Sequence, residues 1–221
     1  MNSQYNKEID EFDLKNIERN SPIGIIGKRG TGKSYLCRDI LNHMIDIPYG
    51  IVISTTEPIT FFYSENFPNF IIHTDFDPSI VENLIKRQKE IKEHKKFENI
   101  DTRALIVLDD CLSTKDLNNK CIQELIFYGK CLNITFILIT QLASEIRPAL
   151  QTSFNYVFLL HDDNTTNQEL MFKQYGCNFN SFSEFKNVYD KITQDFGCLV
   201  LLIGSSFYDS KKVFKYKAII N

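Results

Sequence analysis

Residues 24–36, GIIGKRGTGKSYL, leave an apolar run, pass through the octet GKRGTGKS and enter a helical pattern. Gly27, Gly32, Lys33 and Ser34 match the spacing G-x-x-x-x-G-K-[ST], a loop whose backbone N–H groups hold a phosphate chain. Such N–H groups lack intrahelical partners and lie at the positive end of the helix dipole, so they attract an anion. Glycine lets the loop take conformations that a side chain forbids and lets phosphate approach the backbone. The octet Gly27, Lys28, Arg29, Gly30, Thr31, Gly32, Lys33 and Ser34 is therefore the candidate nucleotide-binding segment, with Lys33 reaching the β- and γ-phosphates and Ser34 ligating Mg²⁺. A glycine turn that matches by chance need not sit between a strand and a helix, as this one does.

The rest of the chain alternates in the same way. PIGIIG (22–27), YGIVIST (49–55), ALIVLDD (104–110), ITFILITQ (134–141) and NYVFLLH (155–161) read as buried strands. Helical spacing predicts a helix over Ser34–Ile45. It predicts another opening at Asp77–Pro78, with Ile80, Leu84 and Ile91 on one face, and a third around Ile122, Leu125 and Ile126. A helical region from about 167 to 193 precedes GCLVLLIG and KVFKYKAII, late strands expected to pair as a hairpin. The aromatic segment TEPITFFYSENFPNFIIH reads as a loop broken by Pro58 and Pro68, its rings as core material. Continuous apolar runs separated by helices indicate an α/β fold, a mainly parallel sheet covered by helices on both faces. Residues 1–20 read as a polar lead-in, with a short helix around Phe12 and Ile17, and 21–221 as a single domain.

Two further strand ends carry chemistry. In LIVLDDC the apolar strand delivers Asp109 and Asp110 to the sheet's carboxyl edge, where ligands of open α/β sheets bind. Asp109 is the candidate for the Mg²⁺ shell and Asp110 for accepting a proton from attacking water. In FILITQ, Gln141 reaches the same edge and can orient water or sense the γ-phosphate. Arg147, in SEIRPAL, is the candidate for stabilising transition-state charge on a neighbour's nucleotide, with Arg29 and Arg103 as weaker alternatives. Read alone, the acid pair better suits a helix cap, and only the phosphate loop reverses that order; Gln141 suits an ordinary loop position about equally, and Arg147 a plain exposed position nearly so.

Charge and composition limit the partners. The 221 residues carry a net charge of only −3, so a nucleic acid would have to meet a local basic face. The run KRQKEIKEHKK (86–96) offers one, with Lys86, Arg87, Lys89 and Lys92 as DNA-contact candidates. A solvated helix face laced by i,i+4 pairs is the favoured reading of it. No run of about 18 apolar residues exists, so no membrane span is expected. The six cysteines form no C-x-x-C pair and read as reduced core thiols of a cytosol-like compartment. His43, His73 and His161 stand apart from any metal-ligand set.

The ordered set GKRGTGKS, LIVLDD and FILITQ followed by Ile-Arg-Pro resembles the FtsK–HerA superfamily of P-loop NTPases. More narrowly it resembles the genome-packaging ATPases of nucleocytoplasmic large DNA viruses and virophages. FPNFIIHTDFDPSIVENLIKRQ and the ending CLVLL…KVFKYKA support the likeness, which covers roughly residues 20–220. It implies an ASCE/RecA-like ATPase with a C-terminal β-hairpin, using ATP and Mg²⁺. It implies a homo-oligomeric ring, hexamer or pentamer, that moves double-stranded DNA into a capsid and meets capsid or packaging-vertex proteins. It implies work in the host cytoplasm, at a viral factory or with the virion. The superfamily usually has Glu after the metal-associated Asp; here that residue is Asp110. Two other classes compete. A small-molecule or nucleotide kinase would share the phosphate loop but needs an acceptor pocket and an arginine-rich lid. A GTPase switch needs N-K-x-D after a strand, and NNKC (118–121) lacks the acid.

Overall fold

The computed structural model describes residues 9–94, 99–113, 115–146, 148–203 and 212–219. In chain order the elements are β1 (Pro22–Ile26), α1 (Lys33–Asn42), β2 (Tyr49–Ser54), α2 (Glu57–Thr60), β3 (Ile72–His73), α3 (Pro78–Glu93), β4 (Ala104–Asp109) and α4 (Lys120–Tyr128). There follow β5 (Ile134–Thr140), α5 (Pro148–Gln151), β6 (Tyr156–Leu160), α6 (Thr165–Tyr175), α7 (Phe182–Ile192), β7 (Gly197–Leu202) and β8 (Val213–Lys217).

The eight strands form one sheet in the order β3-β2-β4-β5-β1-β6-β7-β8. β1 to β6 pair in parallel, while β7 runs antiparallel to β6 and β8 antiparallel to β7, the late pairing the sequence predicts. Alternate residues of each central strand enter opposite cores. In β4, Leu105 and Val107 face α1, whereas Ala104, Ile106 and Leu108 face α3 and α4. In β6, Tyr156, Phe158 and Leu160 take the first side and Val157 and Leu159 the second. Both faces are therefore apolar, and this is why these strands read as unbroken hydrophobic runs.

Four details depart from the sequence reading. The loop-like aromatic segment contains α2 and the two-residue edge strand β3, which pairs Val52 with Ile72 and Ile53 with His73. The fully buried stripe of α3 is Val81, Leu84, Ile85 and Gln88; Leu84 stands on it as expected, Ile80 packs against the same core partly buried, and Ile91 is half-buried beyond it. The region 167–193 is two helices, α6 and α7, broken at Gly176. Cys131 and Cys177 are exposed, whereas Cys37, Cys121 and Cys198 are buried; all six thiols are free.

The lead-in also does more than precede the sheet. Its expected helix is a 3-10 turn at Leu14–Asn16. Phe12, Leu14 and Ile17 are buried on the α1 side, and the Phe12 ring lies 5.6 Å from that of Phe214. Backbone bonds from Phe12 N to Lys215 O (2.8 Å) and from Lys215 N to Asp10 O (3.0 Å) pair the lead-in with the middle of β8.

Candidate nucleotide site

The strand order decides what meets at the carboxyl edge. β5 lies between β1, which feeds the phosphate loop, and β4, which ends in Asp109. Gln141, the residue after β5, therefore emerges between the loop and the acids. Gly27 N bonds to Thr140 O at 3.2 Å, and Asp110 N to Ile139 O at 3.0 Å, so β5 holds both neighbours at its own end.

The phosphate loop needs its glycines. A Cβ on Gly27 would lie 2.7 Å from the Leu160 Cβ, and Gly30 (φ +80°) and Gly32 (φ +95°) adopt left-handed backbone. Asp77, Asn119, Asn164 and Ser181 cap α3, α4, α6 and α7 through their side chains. Gly32 offers α1 no such cap, which leaves the first-turn N–H groups for an anion. Lys33 is 9% exposed, and its Nζ donates to the carbonyls of Gly27 (2.7 Å) and Lys28 (3.1 Å). Burial pushes its ammonium pKa down, against the charges of Asp110, Asp109 and Glu145, which raise it. Lys28 pairs with Asp163 at 2.7 Å, and Thr31 Oγ1 donates to Lys28 O at 2.7 Å, which stiffens the loop from outside.

Asp109 is 4% exposed. Burial raises its pKa, while hydrogen bonds from Tyr63 and Ser34 and the charge of Lys33 work the other way. Tyr63 Oη donates to Asp109 Oδ2 at 2.7 Å. The turn that carries Tyr63 is fixed by Glu57, itself buried, whose carboxylate accepts from Tyr63 N (3.0 Å) and Ser64 N (2.8 Å). Asp110 follows with φ +50°, uncommon for a residue with a side chain and a form of strain that gathers at functional sites. Gln141 Nε2 donates to Asp110 Oδ2, so the structure brings the proposed base and the proposed sensor into contact. Ser34 and Asp109 together offer hard oxygen donors suited to Mg²⁺, and a buried carboxylate whose charge desolvation disfavours gains from such a cation.

A cleft of about 540 Å³ collects these groups: Arg29, Lys33, Ser34, Asp109, Asp110 and Gln141 line it, with Tyr35, Phe62, Tyr63 and Phe196. Arg147 lies outside the described residues. Arg103 is at the opposite, amino edge, held by Asp101 (2.6 Å) and Asp46 (2.9 Å). The four basic candidates of α3 are not brought to the cleft. Gln88 of that helix donates to Thr102 O and Leu132 O, both 2.8 Å, just before β4 and β5, which places the helix's second half at the amino edge. Lys86 lies 4.0 Å from Glu90, Lys89 pairs with Glu124, Lys92 donates to Cys131 O (2.7 Å), and Arg87 lies over Tyr49 (4.3 Å). The favoured solvated-face reading of the run describes these contacts. Among the described residues no His/Cys/Asp/Glu cluster forms a metal site of its own, and no helix is long and apolar enough to cross a membrane.

Sequence reasoning missed three contributors. Glu145 accepts from Thr140 Oγ1, and burial followed by the Asp110 charge raises its carboxyl pKa. Its signal was present, an acid four residues after Gln141. Tyr63 reads from the sequence only as core material. Asn167, 4% exposed, accepts from Ala143 N (3.1 Å) and donates to Asp162 Oδ2 (2.5 Å), while Gln174 donates to Ala143 O (3.0 Å). Two side chains of α6 thus grip both polar groups of residue 143, in the loop that follows Gln141.

The family model described as "Poxvirus A32 protein" matches residues 9–205. Protein L437 of Acanthamoeba polyphaga mimivirus is 34% identical over 205 residues, 89% of this chain and 72% of that protein. The crystal structure of B204, the DNA-packaging ATPase from Sulfolobus turreted icosahedral virus, overlays with a TM-score of 0.65 at 14% identity, covering 92% of this chain and all of B204. B204 of Sulfolobus turreted icosahedral virus 2, solved with ATP-gammaS, gives 0.60 at 14% identity, over 92% of this chain and all of that one. At these identities the overlays establish a shared fold. The phosphate loop beside an acid-tipped strand is the arrangement that holds the phosphate chain of a nucleotide in P-loop folds.

Proposed function

Because this chain belongs to the poxvirus A32 protein family, and gathers a phosphate loop, two acids and a glutamine in one cleft at the edge of its sheet, we propose that it is the ATP-driven motor that packages a viral genome. The observation that carries the reading is the convergence of Lys33, Asp109, Asp110 and Gln141 in one cleft, in a chain whose fold overlays that of a DNA-packaging ATPase.

Each residue has a role in that reading. The α1 N-terminus and Lys33 bind the phosphates, and Ser34 and Asp109 hold Mg²⁺, which when bound neutralises charge on the β- and γ-phosphoryl oxygens. Asp110 accepts the proton of the attacking water, and Gln141, bonded to Asp110, orients that water. Tyr63 fixes the Asp109 carboxylate. Residues 21–221 act as a single domain, with the lead-in seated on its β8 edge.

The motor is a homo-oligomeric ring. A cleft at a sheet edge is open on one side, and Arg147 follows Gln141 by six residues, so Arg147 completes the site of the adjoining subunit. The substrate is double-stranded DNA and the destination a capsid, with capsid or packaging-vertex proteins as partners, in the cytoplasm or viral factory of an infected host cell or with the virion. The α3 residues Lys86, Arg87, Lys89 and Lys92 are retained as DNA contacts, reached at the edge away from the nucleotide. Relatives in large DNA viruses support the setting.

ATP turnover over a duplex-DNA titration in low salt, on protein shown to be oligomeric, tests the proposal. Stimulation by duplexes of any base composition is expected. Turnover indifferent to DNA but raised by a small phosphate acceptor would replace the motor with a kinase.

A further inference from the structure

The turn between α7 and β7 holds an aromatic ring against the phosphate loop in a backbone conformation that side chains disfavour. Asp195 (φ +49°) and Phe196 (φ +64°) are consecutive left-handed residues, neither of them glycine. Conformations of this kind persist only where the surroundings over-determine them, and they gather at ligand sites. The surroundings here do so. Thr193, 1% exposed, donates to Tyr189 O (2.9 Å) and contacts His161 Nδ1 (3.2 Å) beside the loop's first turn. Gly197 N bonds to Gln194 O at 2.8 Å, and a Cβ on Gly197 would stand 2.1 Å from Ile192 O, so the turn admits no other residue there.

The result is a fixed ring on the cleft's rim. Phe196 Cδ1 would touch a Cβ on Gly32 at 3.2 Å, yet the side chain's residue stays 45% exposed. The cleft's other aromatics are already engaged. Tyr63 bonds to Asp109, and Tyr35 and Phe62 pack edge to face at 5.2 Å with Arg38 over both rings. Among the described residues Phe196 has no aromatic partner. A half-open aromatic ring beside Gly32, the N-cap of α1, suits the flat base of a nucleotide whose phosphates occupy the loop.

We propose that Phe196 is the stacking platform for the nucleobase. The inference rests on the nucleotide reading of the cleft and not on the DNA motor. Stacking uses a π-face that every base has, so the platform adds affinity for a nucleoside over a bare phosphate chain without choosing among bases.

The chain has no tryptophan, so Phe196→Trp places a sole indole at the platform. Phe196→Asn removes the ring while keeping a residue that tolerates left-handed backbone. Calorimetry with Mg·ATP and Mg·tripolyphosphate compares base and no base. For wild type, ATP should bind more tightly than tripolyphosphate. Phe196→Asn should lose about tenfold or more in ATP affinity, as loss of a stacked ring does, and leave tripolyphosphate affinity unchanged. Phe196→Trp should keep ATP affinity and change its fluorescence with ATP but not with tripolyphosphate. Equal losses for both ligands, no loss for either, or a tryptophan signal that tripolyphosphate reproduces would overturn the platform. Wild type that binds neither ligand would instead overturn the nucleotide site itself.

Discussion

Tyr63 Oη donates a 2.7 Å hydrogen bond to Asp109 Oδ2, tying the segment after β2 to the tip of β4 across 46 residues of chain. The bond selects one orientation of a carboxylate that has almost no water to stabilise it. Partners of this kind, one step removed from a metal, typically change metal affinity by about tenfold to a hundredfold when lost. Tyr63→Phe should therefore raise the Mg²⁺ concentration for half-maximal ATP turnover by about tenfold, with little effect on metal-free nucleotide binding. A Mg²⁺ titration of turnover checks this; an unchanged midpoint would make the bond a packing detail.

Asp109 also trades stability for function. Burial holds its carboxyl above the ordinary range, so the folded chain binds that proton more tightly than the unfolded chain does. Its contribution to folding is complete below about pH 3.9 and is lost as pH rises through the raised folded value. At neutral pH, without a cation, the ionised side chain weakens the fold. Asp109→Asn should raise Tm in EDTA at pH 7, with the gain shrinking as pH falls toward about 4, and should abolish Mg²⁺-dependent turnover. A variant Tm at or below wild type at pH 7 would contradict the electrostatic account.

The grip of α6 on Ala143 should matter for turnover more than for binding. Asn167→Ala strands Ala143 N and one oxygen of Asp162 in a buried site, which costs about 1–3 kcal/mol of stability. It also frees the loop between Gln141 and Arg147. The expected result is a lowered kcat with ATP affinity within about twofold of wild type, read by calorimetry and steady-state kinetics. Parallel loss of both would mean that Asn167 serves folding alone.

What the sequence could reveal of this site followed from chain distance. The phosphate loop, Asp109 and Gln141 each sit at the end of an apolar run, so a strand and its exit residue are visible in ten residues or fewer. Their convergence depends on β5 inserting between β1 and β4, which no local pattern encodes. Tyr63 reads as one aromatic among several, because its partner is a strand tip far along the chain. Asn167 reads as a polar residue near a helix start, and only the fold aims it at Ala143. β3 escapes notice because two residues carry no periodicity. The full width of the α3 face is hidden from apolar periodicity because its buried stripe includes Gln88, a polar residue satisfied by two backbone carbonyls.

If Arg147 completes a neighbour's site, inactive subunits should rescue one another. Lys33→Ala and Arg147→Ala proteins are each expected to lack turnover, and mixing them should restore part of it, since some interfaces pair an intact loop with an intact arginine. Co-assembly shown by light scattering, with no recovery at any ratio, would place both residues in the same subunit's site.

The central claim is that ATP hydrolysis at this cleft moves the protein along duplex DNA. The most direct measurement is displacement of a labelled third strand from a triplex placed ahead of the protein on a long duplex. With Mg²⁺ and ATP the wild-type protein should release the third strand at a rate that falls as the approach duplex lengthens. Lys33→Ala protein, or wild type with a non-hydrolysable ATP analogue, should release none. Hydrolysis stimulated by duplex DNA without any third-strand release would contradict the motor.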